Sequence, residues 1–265
     1  HELLNPLDYK QVAPIGFILI EKFFASIFGN TDWSLRIYPM LTFLASVFLV
    51  YLTTYRILKS EKFGLIVSAF YTLSPVIIRY SSEVKQYMSD VSLGLAILLG
   101  TLIYSENVYK NKYWIYGLFG AISIWFSNIS ILLLFSSGLY MIYKTHNSVE
   151  KNYFNVVKIL ILWIFSFLVY YSLFIHNHPT KDFMTVYWQN TGAFLPQNIL
   201  SVEFYKSLLL KGLFFILLSG IPKIEIVYAF LFIIGLYYLG KEKGEFLYII
   251  IFPIILHLCL SYLQL

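Results

Sequence analysis

Residues 33–57 read WSLRIYPMLTFLASVFLVYLTTYRI. The only charges are Arg36 near the start and Arg56 near the end. A helix needs about 20 consecutive apolar residues to cross a bilayer's hydrocarbon core. Within that core a helix satisfies its own backbone polar groups, which an open strand cannot do. This stretch is therefore read as a transmembrane helix, closed on one side by Arg56, Lys59 and Lys62.

The same pattern recurs on either side. Further spans are predicted at about 63–79, 87–105, 113–127, 129–143, 157–175, 224–239 and 246–264. Ser127, Asn128 and Ser130 divide the 113–143 stretch, which is too long for one span, into two short helices. Residues 13–29 (APIGFILIEKFFASIFG) carry Glu21 and Lys22 at their centre. A charge at the midplane costs roughly 2.5–3.5 kcal/mol, so this helix is expected to lie in the interface. Gly29-Asn30 ends it, and Thr31 or Asp32 caps the next helix. Residues 203–222 are expected to be re-entrant or juxtamembrane. The fold class is all-α: a polytopic transmembrane helical bundle with juxtamembrane and interfacial helices, one partial transmembrane domain over 1–265.

Composition agrees. The hydrophobic fraction is 59% and the charged fraction 12%, against about 25% charged in an average soluble domain. A net charge of +5 would raise nucleic-acid binding in a soluble protein. Here the lysines separate apolar runs and act as topology signals, so no nucleic-acid partner is expected. The short basic loops 56–62, 106–112 and 144–158 are assigned to the cytoplasm. The 1–32 segment, the 79–86 turn, the 127–130 break and the 176–202 loop then face the other side. Cys259 is the single cysteine, which excludes an internal disulfide and a cysteine-based metal site. His1 opens in a polar loop and Leu265 closes an apolar run, so both ends are expected to be cut from a longer protein. No Walker loop, GxSxG or HExxH is present, leaving nucleotide hydrolysis without support.

Boundary charges carry the chemical information, because packing alone does not demand them. The densest group is Arg79-Tyr-Ser-Ser-Glu83-Val-Lys85-Gln-Tyr87-Met-Ser-Asp90. If 83–90 is helical, Glu83, Tyr87 and Asp90 share one face. Asp90, just inside its span, then serves as a base or holds a substrate hydroxyl. Alternatively Arg79, Glu83, Lys85 and Asp90 pair among themselves; both readings stand. Tyr9 and Lys10 can meet a phosphate at headgroup level, or ordinary anionic lipid. Arg36 can snorkel or grip a phosphate with its planar fork. Lys181 adds a cation in the 176–202 loop, and Trp188 beside Tyr187 is an interface anchor or a sugar-stacking ring. His176 and His178 near Asp182 lack further ligands, so no metal site is assigned. No cofactor is assigned, and a divalent metal has no support. His257 is expected to be a hydrogen-bonded core residue.

Three blocks in order, Ala13-Pro14 with Ile27-Phe28-Gly29, Ser34-Leu35-Arg36, and SPVIIRYSSEVKQYMSD, resemble the GT-C membrane glycosyltransferases. ISIWFSNISILLL resembles that family's paired short helices. The likeness is to bacterial relatives of protein O-mannosyltransferases and lipid A aminoarabinose transferases. It implies a polyprenyl-phosphate sugar donor, a lipid, glycan or protein acceptor, inversion at the anomeric carbon, and a multi-pass protein of the bacterial cytoplasmic membrane. It also implies a first-loop carboxylate base, expected upstream of His1. Asp90 corresponds to the family's second acidic position, with Glu83 nearby, and Lys10 to a lysine on the lipid phosphate. Tyr9, Arg36, Arg79, Lys85, Tyr87, Lys181 and Trp188 complete the expected substrate-binding set. The rival readings are a transporter or flippase of lipid-linked saccharides, with charges deep along a central path, and an inactive membrane assembly subunit.

Overall fold

The computed structural model describes residues 13–105, 113–148, 153–176, 179–191, 194–207 and 222–263. Among these residues every regular element is helical. The chain forms two compact units, His1–His178 and Pro179–Leu265.

The first unit begins with α1 (Ile15–Phe28), which Gly29 ends at φ 83°. A reciprocal cap starts α2 (Asp32–Leu58). Thr31 N–H donates to Ser34 Oγ at 3.2 Å, and Ser34 N–H donates to Thr31 Oγ1 at 3.4 Å. Two orphan amides are thereby satisfied. Asp32 adds a favourable charge in the first turn. With 27 residues, α2 is about 40 Å long, enough to cross the bilayer. Lys59, left-handed at φ 54°, stops it and donates its N–H to Tyr55 O at 2.7 Å.

The span expected at 63–79 is instead two helices, α3 (Glu61–Thr72) and α4 (Pro75–Ser82), bent by 63°. Pro75 is the reason. It lacks an N–H and pushes the preceding residue out of helical geometry, and Ser74 is extended at ψ 122°. Then follow α5 (Tyr87–Ser105), α6 (Tyr113–Phe126), α7 (Ser130–His146) and α8 (Tyr153–Tyr170), which closes in a π turn over Tyr171–Ile175.

The α8 helix states what its solvent is. Val156, Ile159, Trp163, Ser166 and Tyr170 are buried on one face. Phe154, Val157, Ile161, Ile164, Phe165 and Leu168 are exposed on the other. A helix apolar all round, with one face open, has hydrocarbon on that face. Four helices among the described residues are long and apolar enough to cross, and the bent α3–α4 pair adds a fifth. The chain is an integral membrane protein.

Small polar residues line the contacts between these helices, where they let backbones approach and bond across. Tyr71 donates to Ser46 at 2.8 Å, Trp163 Nε1 to Gly117 O at 2.9 Å, and Ser166 to Ala121 O at 2.7 Å. Gly120 is small by necessity. A Cβ there would overlap the Trp163 indole and sit 2.9 Å from Leu134 Cδ2.

The second unit holds α9 (Lys181–Asn190), α10 (Val202–Ser207) and α11 (Pro222–Leu263). The expected 176–202 loop thus contains a helix. The expected spans 224–239 and 246–264 are parts of one continuous helix of 42 residues. Lys241, Glu242, Lys243 and Glu245 between them are good helix formers. Proline occurs within α11 only at Pro253, so nothing interrupts the charged stretch. His257, expected in the core, is exposed. Leu195 N–H donates to Ser261 Oγ at 3.1 Å, and Tyr262 OH donates to Gln197 O at 3.2 Å, laying the 194–207 segment along α11. The expected re-entrant stretch 203–222 lies outside the described residues from 208 to 221.

Candidate functional site

Asp90 sits in the first turn of α5, where the helix dipole favours an anion. Its Oδ1 is completely buried and has no hydrogen-bond partner among the described residues. Around it converge groups from every neighbouring element. Ser127, at the α6–α7 break, presents its hydroxyl toward the carboxylate, although Ser127 Oγ and Asp90 Oδ1 have no partner at normal bonding distance among the described residues. The Tyr38 phenol on α2 lies within electrostatic reach of Asp90 and is flanked by Ser89. The Tyr170 phenol on α8 also lies within reach of Asp90 and beside the Ile15 backbone of α1. Tyr170 OH donates to Asn128 Oδ1 at 3.0 Å.

The α6–α7 break builds one wall. Ser130 Oγ donates to Ser123 O at 2.9 Å and approaches Ser127 O at 2.5 Å, tying the two helix ends together. That leaves the buried Ser127 Oγ to face inward, while exposed Asn128 accepts from Tyr170. Trp125 packs edge-on against Tyr170 at 5.6 Å and donates to Ser166 at 3.0 Å, fixing the ring behind the phenol. The start of α2, the start of α5, the break and the end of α8 therefore share one end of the first unit.

A second carboxylate approaches the same place. Glu21 on α1 is 7% exposed, and both its oxygens lack a partner among the described residues. It lies within electrostatic reach of Tyr38, whose ring is 5.8 Å from that of Phe17, one turn before Glu21. Burial pushes the Glu21 carboxyl up to about 7, because removing water disfavours the charged form.

The sequence-predicted residues divide. Residues 83–86 are not helical and Glu83 is extended at ψ 134°, so Glu83 does not share a helix face with Tyr87 and Asp90. Glu83 instead pairs back to Arg79, Nε to Oε1, at 2.6 Å. Lys85 is exposed and sits 5.6 Å from the Tyr87 ring centroid, and Tyr87 stacks against Tyr80 at 4.9 Å. Arg36 is exposed in the second turn of α2. Arg79, Tyr80, Lys85 and Tyr87 thus make a cationic, aromatic rim at the α4–α5 junction leading into Asp90, and Arg36 stands two residues before Tyr38 on α2. Trp188, in the second unit, is exposed with its ring edge-on to Tyr187 at 5.2 Å. Lys181 begins α9, and its side chain lies outside the described set, as do Tyr9 and Lys10 entirely. Among the described residues no group of three or more metal-ligating side chains forms.

Sequence reasoning missed Glu21, Tyr38 and Tyr170 and gave Ser127 a helix-end role. One signal was available for Glu21: a carboxylate one turn after Phe17 in an otherwise apolar helix. The tyrosines carried none, being 2 of 23 in the chain.

A family model described as dolichyl-phosphate-mannose-protein mannosyltransferase matches residues 12–171, more than half of the chain and all of α1 to α8. No curated protein and no solved structure matches.

Proposed function

The chain belongs to the dolichyl-phosphate-mannose-protein mannosyltransferase family, and on that premise we propose that this membrane glycosyltransferase works as follows. It moves a sugar from a polyprenyl-phosphate carrier to a lipid, glycan or protein acceptor, on the extracytoplasmic face of a bacterial cytoplasmic membrane. The observation that carries the reading is Asp90, a half-buried carboxylate whose Oδ1 is fully buried and has no partner among the described residues, where α1, α2, α5, α8 and the α6–α7 break converge.

The acceptor's O–H or N–H meets a carboxylate, which takes the proton as the acceptor atom attacks the anomeric carbon. The new bond forms opposite the bond to the phosphate oxygen, so the configuration inverts. The breaking bond's electron pair leaves with the polyprenyl phosphate. Asp90 is either that base or the group that holds the attacking hydroxyl in line, a role worth much of the barrier. Tyr38, Ser127 and Tyr170 set its position. The rim cations Arg36, Arg79 and Lys85 stabilise the charge growing on the phosphate. Tyr80 and Tyr87 offer ring faces beside Lys85. Lys10, Lys181 and Trp188 stay in the binding set as expectations from the sequence.

The test is transfer by the full-length protein in lipid nanodiscs, from polyprenyl-phosphate sugars, with wild type against Asp90→Asn. Loss of a positioned general base or hydroxyl holder lowers turnover by about 100-fold or more. Turnover equal to wild type removes Asp90 from the reaction.

A further inference from the structure

Glu21 is a buried carboxylate for which the reaction above has no use. The buried face of α1 holds Ile15, Gly16, Phe17 and Glu21. Phe17 and Glu21 stand one turn apart on it, and Phe17 meets the ring of Tyr38. A leucine at 21 would fill this position without leaving two buried oxygens unpartnered. A carboxylate in that setting is among the costliest groups to bury.

We propose that Glu21 binds the hydroxyls of the sugar being transferred, and so helps to decide which sugar the site accepts. This assignment rests on the polyprenyl-phosphate donor reading. When ionised this group has only acceptor atoms, and its two oxygens can take one hydrogen bond each from neighbouring sugar hydroxyls. The half-buried Tyr38 ring, backed by buried Phe17, offers apolar surface for the C–H face of a pyranose. The donor's phosphate cannot be the ligand, because like charges repel; it belongs at the rim of Arg36 and Lys85. A divalent cation would need more ligands than Glu21 and Asp90, and no such cluster forms among the described residues. Tyr38 lies within electrostatic reach of both carboxylates, so the proposed sugar-holding group and the proposed catalytic group share a neighbourhood.

The experiment measures binding of dolichyl-phosphate mannose, dolichyl-phosphate glucose and dolichyl phosphate to the full-length protein in nanodiscs. Each lipid is titrated on wild type, Glu21→Gln and Glu21→Asp, and the thermal midpoint is recorded for all three proteins. Wild type is expected to bind at least one sugar-bearing lipid more tightly than dolichyl phosphate. Glu21→Gln should weaken that lipid by about 10- to 100-fold, the worth of a hydrogen bond to a charged group. Dolichyl phosphate binding should stay unchanged and the midpoint equal or higher. Glu21→Asp, keeping the charge but drawing it back, should weaken the sugar lipid while sparing dolichyl phosphate, which gives a second reading if Glu21→Gln does not fold. Equal weakening of all three lipids, or no weakening in either variant, overturns the assignment alone. A wild type that binds sugar-bearing lipid no better than dolichyl phosphate overturns the donor reading together with it.

Discussion

Two polar clusters lie on α5, eleven residues apart, or about 16 Å along the helix. The inner one joins α5, α6 and α7. Thr101 Oγ1 lies 2.7 Å from Tyr116 OH, 2.9 Å from Ser137 Oγ and 2.7 Å from Ile97 O. Thr101 and Ser137 are almost fully buried, and every hydroxyl in the cluster has a partner. The outer cluster gathers Glu21 and Ser127, which are buried, and the half-buried Asp90, and four of its buried oxygens have no partner among the described residues. Removing polar atoms from water is costly in both places. In the inner cluster the bonds across helices offset that cost, so it holds the bundle together. In the outer cluster those four oxygens have no such bond among the described residues, which is the difference expected between a site that takes a ligand, as proposed above, and a structural joint.

Substitutions should separate the two. The largest effect is expected from Asp90→Asn in the outer cluster: turnover falls about 100-fold or more while the thermal midpoint holds or rises, because a buried charge has been removed. A midpoint that falls along with activity would erase the distinction. Next come changes to the inner architecture. Tyr116→Phe strips the hydroxyl that bonds Thr101, and Gly120→Ala drives a methyl into Trp163. Each should cost about 1–3 kcal/mol, seen as a lower thermal midpoint with KM unchanged. A shifted KM would make the inner cluster part of the site.

A smaller effect follows from pH. Burial raises the Glu21 carboxyl from 4.5 to about 7, so the folded protein holds this proton more tightly than the unfolded chain. Folding is then most favoured below pH 4.5, weakens as pH climbs to about 7, and levels off above that. Thermal midpoints taken from pH 4 to 8 should show this slope in wild type and a flatter line in Glu21→Gln. The smallest effect belongs to the rim. Arg79 is 76% exposed in its pair with Glu83, so Arg79→Ala should leave the thermal midpoint nearly unchanged. A larger drop in donor affinity than in stability would give Arg79 its place at the phosphate.

The helical membrane bundle was legible because hydropathy over a span-length window is a one-dimensional property, and residues 33–57 display it openly. The α6–α7 break was legible for a related reason: Ser127, Asn128 and Ser130 are out of place in hydrocarbon unless they line an interior. Asp90 stood out as a charge just inside a span. What the sequence concealed was convergence. Glu21 and Asp90 are 69 positions apart, and Tyr38 and Tyr170 read as ordinary interface aromatics until packing brings their phenols to one place. The assumption of helix through 83–90 failed because Glu83 is drawn back onto Arg79 by an ion pair, a local contact that periodicity does not register. The division of α11 failed for the opposite reason. A charged stretch between apolar runs normally marks a loop, but Lys241, Glu242 and Lys243 are as content in a helix as outside one.

That unbroken α11 has a geometric consequence. At 1.5 Å and 100° per residue, its 42 residues make a rod about 63 Å long, roughly twice the thickness of a hydrocarbon layer. The apolar runs on either side of Lys241–Lys243 are therefore not hinged segments but share a single azimuth. One alanine inserted between Gly240 and Gly244 would advance one half by 1.5 Å and rotate it by 100° against the other, turning every side chain beyond it more than a quarter of the way round the rod.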